Sequence, residues 1–297
     1  MGYLYLCAAL AAGLSKGFLG KSISRDVKNF RECVFVNLLR MLFCAVVGFA
    51  LAVFKAGTSG LALTADAFFV CLFAAVSMSV FCVCWMFAYR TEAYVFLNVF
   101  TMLGTVVTCI LDFVVYKTEI GITEWIGIAV LLAAVYIMSV YNKGIKGKFT
   151  KKALLILVIG SLGSALSDFS QKMYMKNFGN TPEIFNFYMY ALGGVLLAAV
   201  YLYCFLNRSA PGIRRELYDK RHVLICFGMA FFLYLNSVTK TMAAGLIPSA
   251  QLYPVLQGAN LILSALMAHI MFKEKINLKC ICGMVTAFCG LMILNLL

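Results

Sequence analysis

Charge is scarce in this sequence. Of its 297 residues only 12% are Asp, Glu, Lys or Arg, and the acidic ones number 12 against 25 basic. A soluble globular domain carries about 25% charged residues, so with 63% hydrophobic residues and a mean hydropathy of +0.94 the bilayer is the expected solvent. Proline is rare as well, at four residues, so the apolar runs are long and unbroken. They lack the polar and apolar alternation of membrane β-strands, which excludes a transmembrane barrel. The two histidines, His222 and His269, have no second ligand at metal spacing, so no metal and no cofactor is expected. No stretch between apolar runs exceeds roughly fifteen residues, which leaves no room for a soluble catalytic or nucleotide-binding domain. A Ser-His-Asp set, a Walker-type loop and an HExxH motif are all missing. That argues against a membrane hydrolase and against ATP-driven transport.

What the sequence does contain is a series of apolar stretches, falling at 2–20, 32–54, 66–89, 93–116, 123–141, 152–171, 184–206, 222–240, 247–272 and 277–297. Each is near the ~20 residues that a helix needs to cross a bilayer. The first has no basic residue ahead of it and so reads as a span, not as a cleaved signal peptide. Twelve cysteines are spread through these stretches. The closest pairs, Cys82 with Cys84 and Cys280 with Cys282, lack zinc or redox spacing, and the cysteines read as small core residues.

The net charge of +13 is not a nucleic-acid signal, because the basic residues sit between the apolar stretches. Loops after odd-numbered spans hold 18 of them, from Lys21 to Lys279. Loops after even-numbered spans hold five: Lys55, Lys117, Lys172, Lys176 and Lys240. The positive-inside rule then places both termini outside the cytoplasm.

At a shift of roughly 150 residues the two halves look alike. Leu14-Ser15-Lys16 matches Leu166-Ser167-Asp168, Arg90-Thr91 matches Lys240-Thr241, and Ala93 matches Ala243. The stretch from Asn98 through Glu119 to Gly127 resembles that from Tyr253 through Glu274 to Gly283. Five spans per half is an odd number, so a duplicated unit must sit inverted with respect to its twin. The expected fold is an all-α polytopic membrane protein with ten transmembrane helices as two inverted five-helix repeats, 1–148 and 149–297.

These residues resemble the drug/metabolite transporter superfamily, in particular its ten-span EamA-type members and its half-sized relatives, the small multidrug resistance proteins. The resemblance is strongest from Ile247-Pro248-Ser249-Ala250 through Tyr253, Gly258 and Ser264 to Phe272, Glu274 and Gly283, then into a last span with Gly290. In the first half Gly13, Lys21 and Arg40 stand at places similar to the EamA pattern. The small multidrug proteins carry a proton- and drug-binding glutamate in the middle of their first span. Here that place falls near Gly13, so their antiport mechanism does not carry over.

Ionisable groups inside a span are unfavourable there and usually face a cavity or a partner. Lys16, Arg40, Asp112 and Asp168 are of this kind. Lys16 and Asp168 occupy matching places in the two halves. They are expected either to pair across a central cavity or to bind opposite ends of a zwitterion, unless Lys16 simply snorkels toward a helix end. Arg40 reads as a structural residue at a helix interface, Asp112 as an interfacial residue, and Glu119 and Glu274 as helix-end markers. Neutral polar side chains supply the rest of a candidate site. In span nine, Tyr253, Gln257, Asn260 and Ser264 recur at helical spacing, and Pro254 interrupts the same helix. Asn98 and Thr101, Thr105 and Thr108 stand in span four, and Tyr234, Asn236 and Ser237 in span eight. Trp85, deep in span three, is a candidate to stack on a substrate.

The expected binding residues are thus Lys16, Asp168, Trp85, Asn98, Tyr234, Asn236, Tyr253, Gln257 and Asn260. The expected function is that of a non-enzymatic secondary transporter in the plasma membrane, moving a small polar or zwitterionic metabolite by alternating access. Its partners would be that small molecule, the lipid bilayer and a proton or other coupling ion, with no nucleic acid and the chain acting as a monomer. Competing readings are a flippase for a lipid-linked carrier, and, from another class, a membrane receptor or an intramembrane enzyme.

Overall fold

The computed structural model describes residues 1–24, 26–91, 94–117, 120–142, 151–178, 181–206, 219–272 and 278–295, with the side chains of 88–100 and some others left out. Ten α-helices follow one another: α1 (Gly2–Ser24), α2 (Phe30–Ala56), α3 (Ala65–Thr91), α4 (Tyr94–Tyr116), α5 (Ile122–Asn142), α6 (Lys151–Phe178), α7 (Pro182–Leu206), α8 (Lys220–Ala244), α9 (Ser249–Phe272) and α10 (Leu278–Asn295). No strand occurs among the described residues. Arg25, Glu119, Glu274, the basic segments 143–150 and 207–218, and the side chain of Asn98 lie outside them.

Local chemistry sets several of the boundaries. The Asn29 side chain accepts from the Glu32 backbone N–H at 2.8 Å, and the Glu32 carboxylate accepts from the Lys28 N–H at 2.7 Å. One of the orphan donors at the start of α2 is thereby satisfied, and the Lys28 amide just ahead of the helix gains an acceptor. Asp219 caps α8 and Pro182 opens α7, where its missing N–H is no loss. Helix α6 runs to Phe178, well past the expected end at residue 171. Its extension is held by neighbours: Lys172 Nζ donates to the Ile247 carbonyl at 3.3 Å, and the Lys176 ammonium lies 3.9 Å from the centroid of the Tyr116 ring.

Six helices contain a stretch long and apolar enough to cross a bilayer: α1, α2, α3, α7, α8 and α9. Shorter apolar stretches occupy Gly104–Tyr116, Ile122–Ala134 and Ile281–Gly290 in α4, α5 and α10. The surface is greasy, and the interior combines apolar clusters with many buried polar side chains. Phe54, Phe69, Val46 and Tyr203 are exposed, whereas Asn37, Ser170, Gln171, Asn186 and Thr241 are fully buried. Lipid suits the exposed apolar side chains, and buried polar ones bond to their own helix, as Asn37 does to the Cys33 carbonyl, or across helices, as Asn186 does to Thr241.

Each helix packs most extensively on one from the other end of the chain: α1 on α8, α2 on α7, α3 on α6, α4 on α9 and α5 on α10. Exchanging the first five helices for the last five in order turns this set of pairs into itself. Close backbone approach supports the α3–α6 contact. A Cβ added at Gly163 would meet the Ser77 carbonyl oxygen at 2.8 Å and the Phe81 nitrogen at 3.1 Å.

Candidate functional site

A cavity of about 70 Å³ lies among α1, α3, α4, α6, α8 and α9. Three helices come from each half of the chain. Gly13 and Lys16 enter from α1, Phe81 and Trp85 from α3 and Thr101 from α4; Ser164, Ser167 and Asp168 enter from α6, Asn236, Ser237 and Lys240 from α8, and Gln257, Asn260 and Ser264 from α9. Such a volume holds a few waters or a small polar group.

The charged groups are arranged unevenly. Lys240 Nζ donates to Asp168 Oδ1 at 2.5 Å, and both side chains are buried. Behind this pair the Tyr253 hydroxyl donates to the Asp168 backbone carbonyl at 2.7 Å, tying α9 to α6. The expected direct pair between Lys16 and Asp168 is therefore not what forms, because Lys240 from α8 reaches the carboxylate instead. Lys16 makes a long contact of 3.5 Å to Asn236 Oδ1, while Asn236 Nδ2 donates to the Ala9 carbonyl at 2.6 Å. Asn236 is thus fixed by α1 backbone and presents its oxygen to α1's own cation. A Cβ on Gly13 would lie 3.2 Å from Asn236 Nδ2 and 3.6 Å from Asn260 Oδ1, so this glycine lets two amides close around the place where no carboxylate stands.

A smaller void of about 20 Å³ shares Lys16, Phe81 and Trp85 with the main cavity and adds Arg40. Arg40 is buried at 7% exposure, and its Nε has no hydrogen-bond partner among the described residues. Arg40 thus borders the void from α2 as well as lying buried among its neighbours. Asp112 is also buried, at 2% exposure, with Oδ1 unpartnered among the described residues. It sits near the end of α4, within electrostatic reach of Lys172.

Of the residues expected to bind, Lys16, Asp168, Trp85, Asn236, Gln257 and Asn260 are brought together around the cavity. Tyr234 and Tyr253 are not among the lining residues. Tyr234 packs on Tyr190 with ring centroids 6.1 Å apart, and its hydroxyl finds no partner among the described residues. Tyr253 is fully buried behind Asp168. On α4 the expected threonines divide: Thr101 lines the cavity, whereas the Thr108 hydroxyl is within 3.2 Å of the Ala165 carbonyl and joins α4 to α6. Lys240 was missed as a site residue because it follows the last apolar run of span eight and reads as a loop charge. Two signals pointed to it: its match with Arg90 at the common shift, and its helical spacing from Asn236 and Ser237.

A polar cavity inside a greasy helix bundle, set between three helices from each half of the chain, is the layout of a solute carrier. The sequence matches the EamA-like transporter family twice, over residues 3–140 and 151–296. The chain belongs to this family. It is therefore a membrane transporter of the drug/metabolite type, and the two matches account for its internal likeness. A solved crystal structure with 13% sequence identity superposes at a TM-score of 0.75, covering 99% of this chain and 96% of the other, which shows a shared fold. No curated protein matches the sequence.

Proposed function

We propose that this EamA-family chain is a secondary transporter moving a small polar or zwitterionic metabolite across the plasma membrane by alternating access. In this reading all ten helices cross the bilayer as two inverted five-helix repeats, 1–148 and 149–297, with both termini outside the cytoplasm, and the monomer is the working unit. The observation that carries it is the cavity itself, which lies between three helices of the first half and three of the second and takes most of its polar lining from the second. A site at the junction of two repeats opens to either side when one repeat rocks against the other. The self-exchanging set of helix pairs supports a two-fold relation between the halves, and five spans in each make that relation an inverted one.

Polar side chains inside a bundle also serve as glue between helices. The glue here is recognisable by its closed hydrogen bonds. Ser237 Oγ donates to Asn186 Oδ1, and Asn186 Nδ2 donates to the Pro182 carbonyl and to Thr241 Oγ1. Gln257, Asn260 and Lys16 instead present polar atoms to open space.

Solute counterflow in proteoliposomes tests the proposal. Vesicles loaded with each member of a panel of amino acids, organic acids, amines, sugars and nucleotides are assayed for uptake of the same labelled solute. Counterflow of at least one solute above protein-free vesicles is expected. Its absence across all classes would remove the transport reading.

A further inference from the structure

The cations around the cavity outnumber the carboxylates. Lys16, Arg40 and Lys240 face it or the void that shares its wall, against Asp168 alone among the described residues. Lys240 already occupies Asp168. Neither Lys16 nor Arg40 has a carboxylate in ion-pair contact among the described residues, and Lys16 lies within electrostatic reach of both other cations and, more weakly, of Asp168. Asp112, a buried carboxylate on α4, interacts with Lys172 and Tyr116 instead.

An ammonium and a guanidinium are donors with nothing to accept, and burying them without a counter-charge is strongly unfavourable unless a ligand supplies one. Lys16 and Arg40 flank one void, and Trp85 forms a wall of both spaces. We propose that Lys16 and Arg40 bind the oxyanion group of the cargo, a carboxylate or a phosphate, and that the cargo is an organic anion carrying net negative charge. This rests on the transport reading above and narrows its cargo. The fork of an arginine fits two oxygens of such a group, and the lysine adds a point charge beside it. Trp85 then covers the apolar part of the solute, and Asn236, Gln257 and Asn260 meet its remaining polar atoms. A zwitterion fits less well, because the carboxylate that its ammonium needs is held by Lys240.

The two tryptophans of the chain make this testable. Trp125 is exposed on α5, away from the cavity, so in a Trp125→Phe background Trp85 is the sole reporter. The purified full chain is titrated with succinate and with glycerol phosphate, and in parallel with succinamide, glycerol and putrescine. A saturable change in Trp85 emission is expected with at least one anion and with none of the neutral or cationic probes. Which anion acts separates a carboxylate site from a phosphate site. Lys16→Gln and Arg40→Gln should each weaken the response at least tenfold, and Lys16→Arg should restore most of it. Should Arg40→Gln fail to fold, the Lys16 pair of variants decides alone. A response confined to neutral or cationic probes, a response to none, or an anion response unchanged by Lys16→Gln would overturn the proposal. Counterflow keeps the two readings apart. Transport of a neutral or cationic solute alone sinks the anion site and leaves transport standing; Lys16-dependent anion binding without counterflow of any solute does the reverse.

Discussion

Helices α1 and α6 stand at matching places in the two halves and carry the related segments Leu14-Ser15-Lys16 and Leu166-Ser167-Asp168, yet their ionisable residues meet different fates. Asp168 is neutralised by Lys240 of α8 and backed by Tyr253 of α9. Lys16 has one long contact to an amide. The same shift that matches Lys16 with Asp168 matches Arg90 with Lys240. Where the second half sets a carboxylate against a lysine, the first half has a lysine and an arginine at the matching sequence positions, two residues of like charge. Of two matching positions, one is thus ion-paired and the other lines the cavity without a carboxylate in contact among the described residues.

The largest effect should come from breaking the closed side of this comparison. Asp168→Ala strands a buried ammonium, and Lys240→Ala strands a buried carboxylate. Each should lower stability by about 3–5 kcal/mol in chemical unfolding of the detergent-solubilised protein. Joint replacement by Leu at 168 and Met at 240 should recover most of that loss, since neither charge is then left alone. If the single changes are mild, the pair is no part of the scaffold.

Next in size is Gly163→Ala, which presses a methyl group into the α3 backbone at Ser77. A loss of roughly 1–3 kcal/mol is expected in the same assay. The matching residue of α1, Ala11, is exposed, and Ala11→Gly or Ala11→Val should stay within about 1 kcal/mol. Tyr253→Phe removes the bond to the Asp168 carbonyl and should cost about 1 kcal/mol. Lys16→Gln, on the open side, should leave the midpoint of unfolding unchanged or slightly raised, because a cation without a carboxylate partner is being removed. A large destabilisation there would make Lys16 as structural as Asp168 and erase the asymmetry. The smallest effect is expected for Tyr234→Phe, within about 0.5 kcal/mol and with ligand response intact, since that hydroxyl has no partner to lose among the described residues.

The helices were legible from the sequence because apolar runs without proline have one stable form in a bilayer. Their ends were less so. A charge reads as the end of a span, yet α6 continues through Lys172 and Lys176 and α8 through Lys240, where acceptors from other helices meet the ammonium groups or an aromatic ring faces them. Those partners are tertiary information. Periodicity likewise put Tyr253, Gln257, Asn260 and Ser264 on one face of α9, but it gave no sign that Tyr253 would be consumed by the α6 backbone. The matched positions of Lys16 and Asp168 did place both at the cavity. What they could not give was the third residue, Lys240, that decides which charge is spent.

The way the helices are paired also bears on how the chain is made. Each of α1 to α5 finds its principal partner among α6 to α10. At about 5–20 residues per second, the ribosome needs on the order of ten seconds to supply the remaining half. Through that interval α1 stands in the bilayer without α8, and α2, with Arg40, stands without α7. The earliest-made helices are the last to be satisfied, and the nascent first half depends on whatever in the membrane shelters an incomplete bundle.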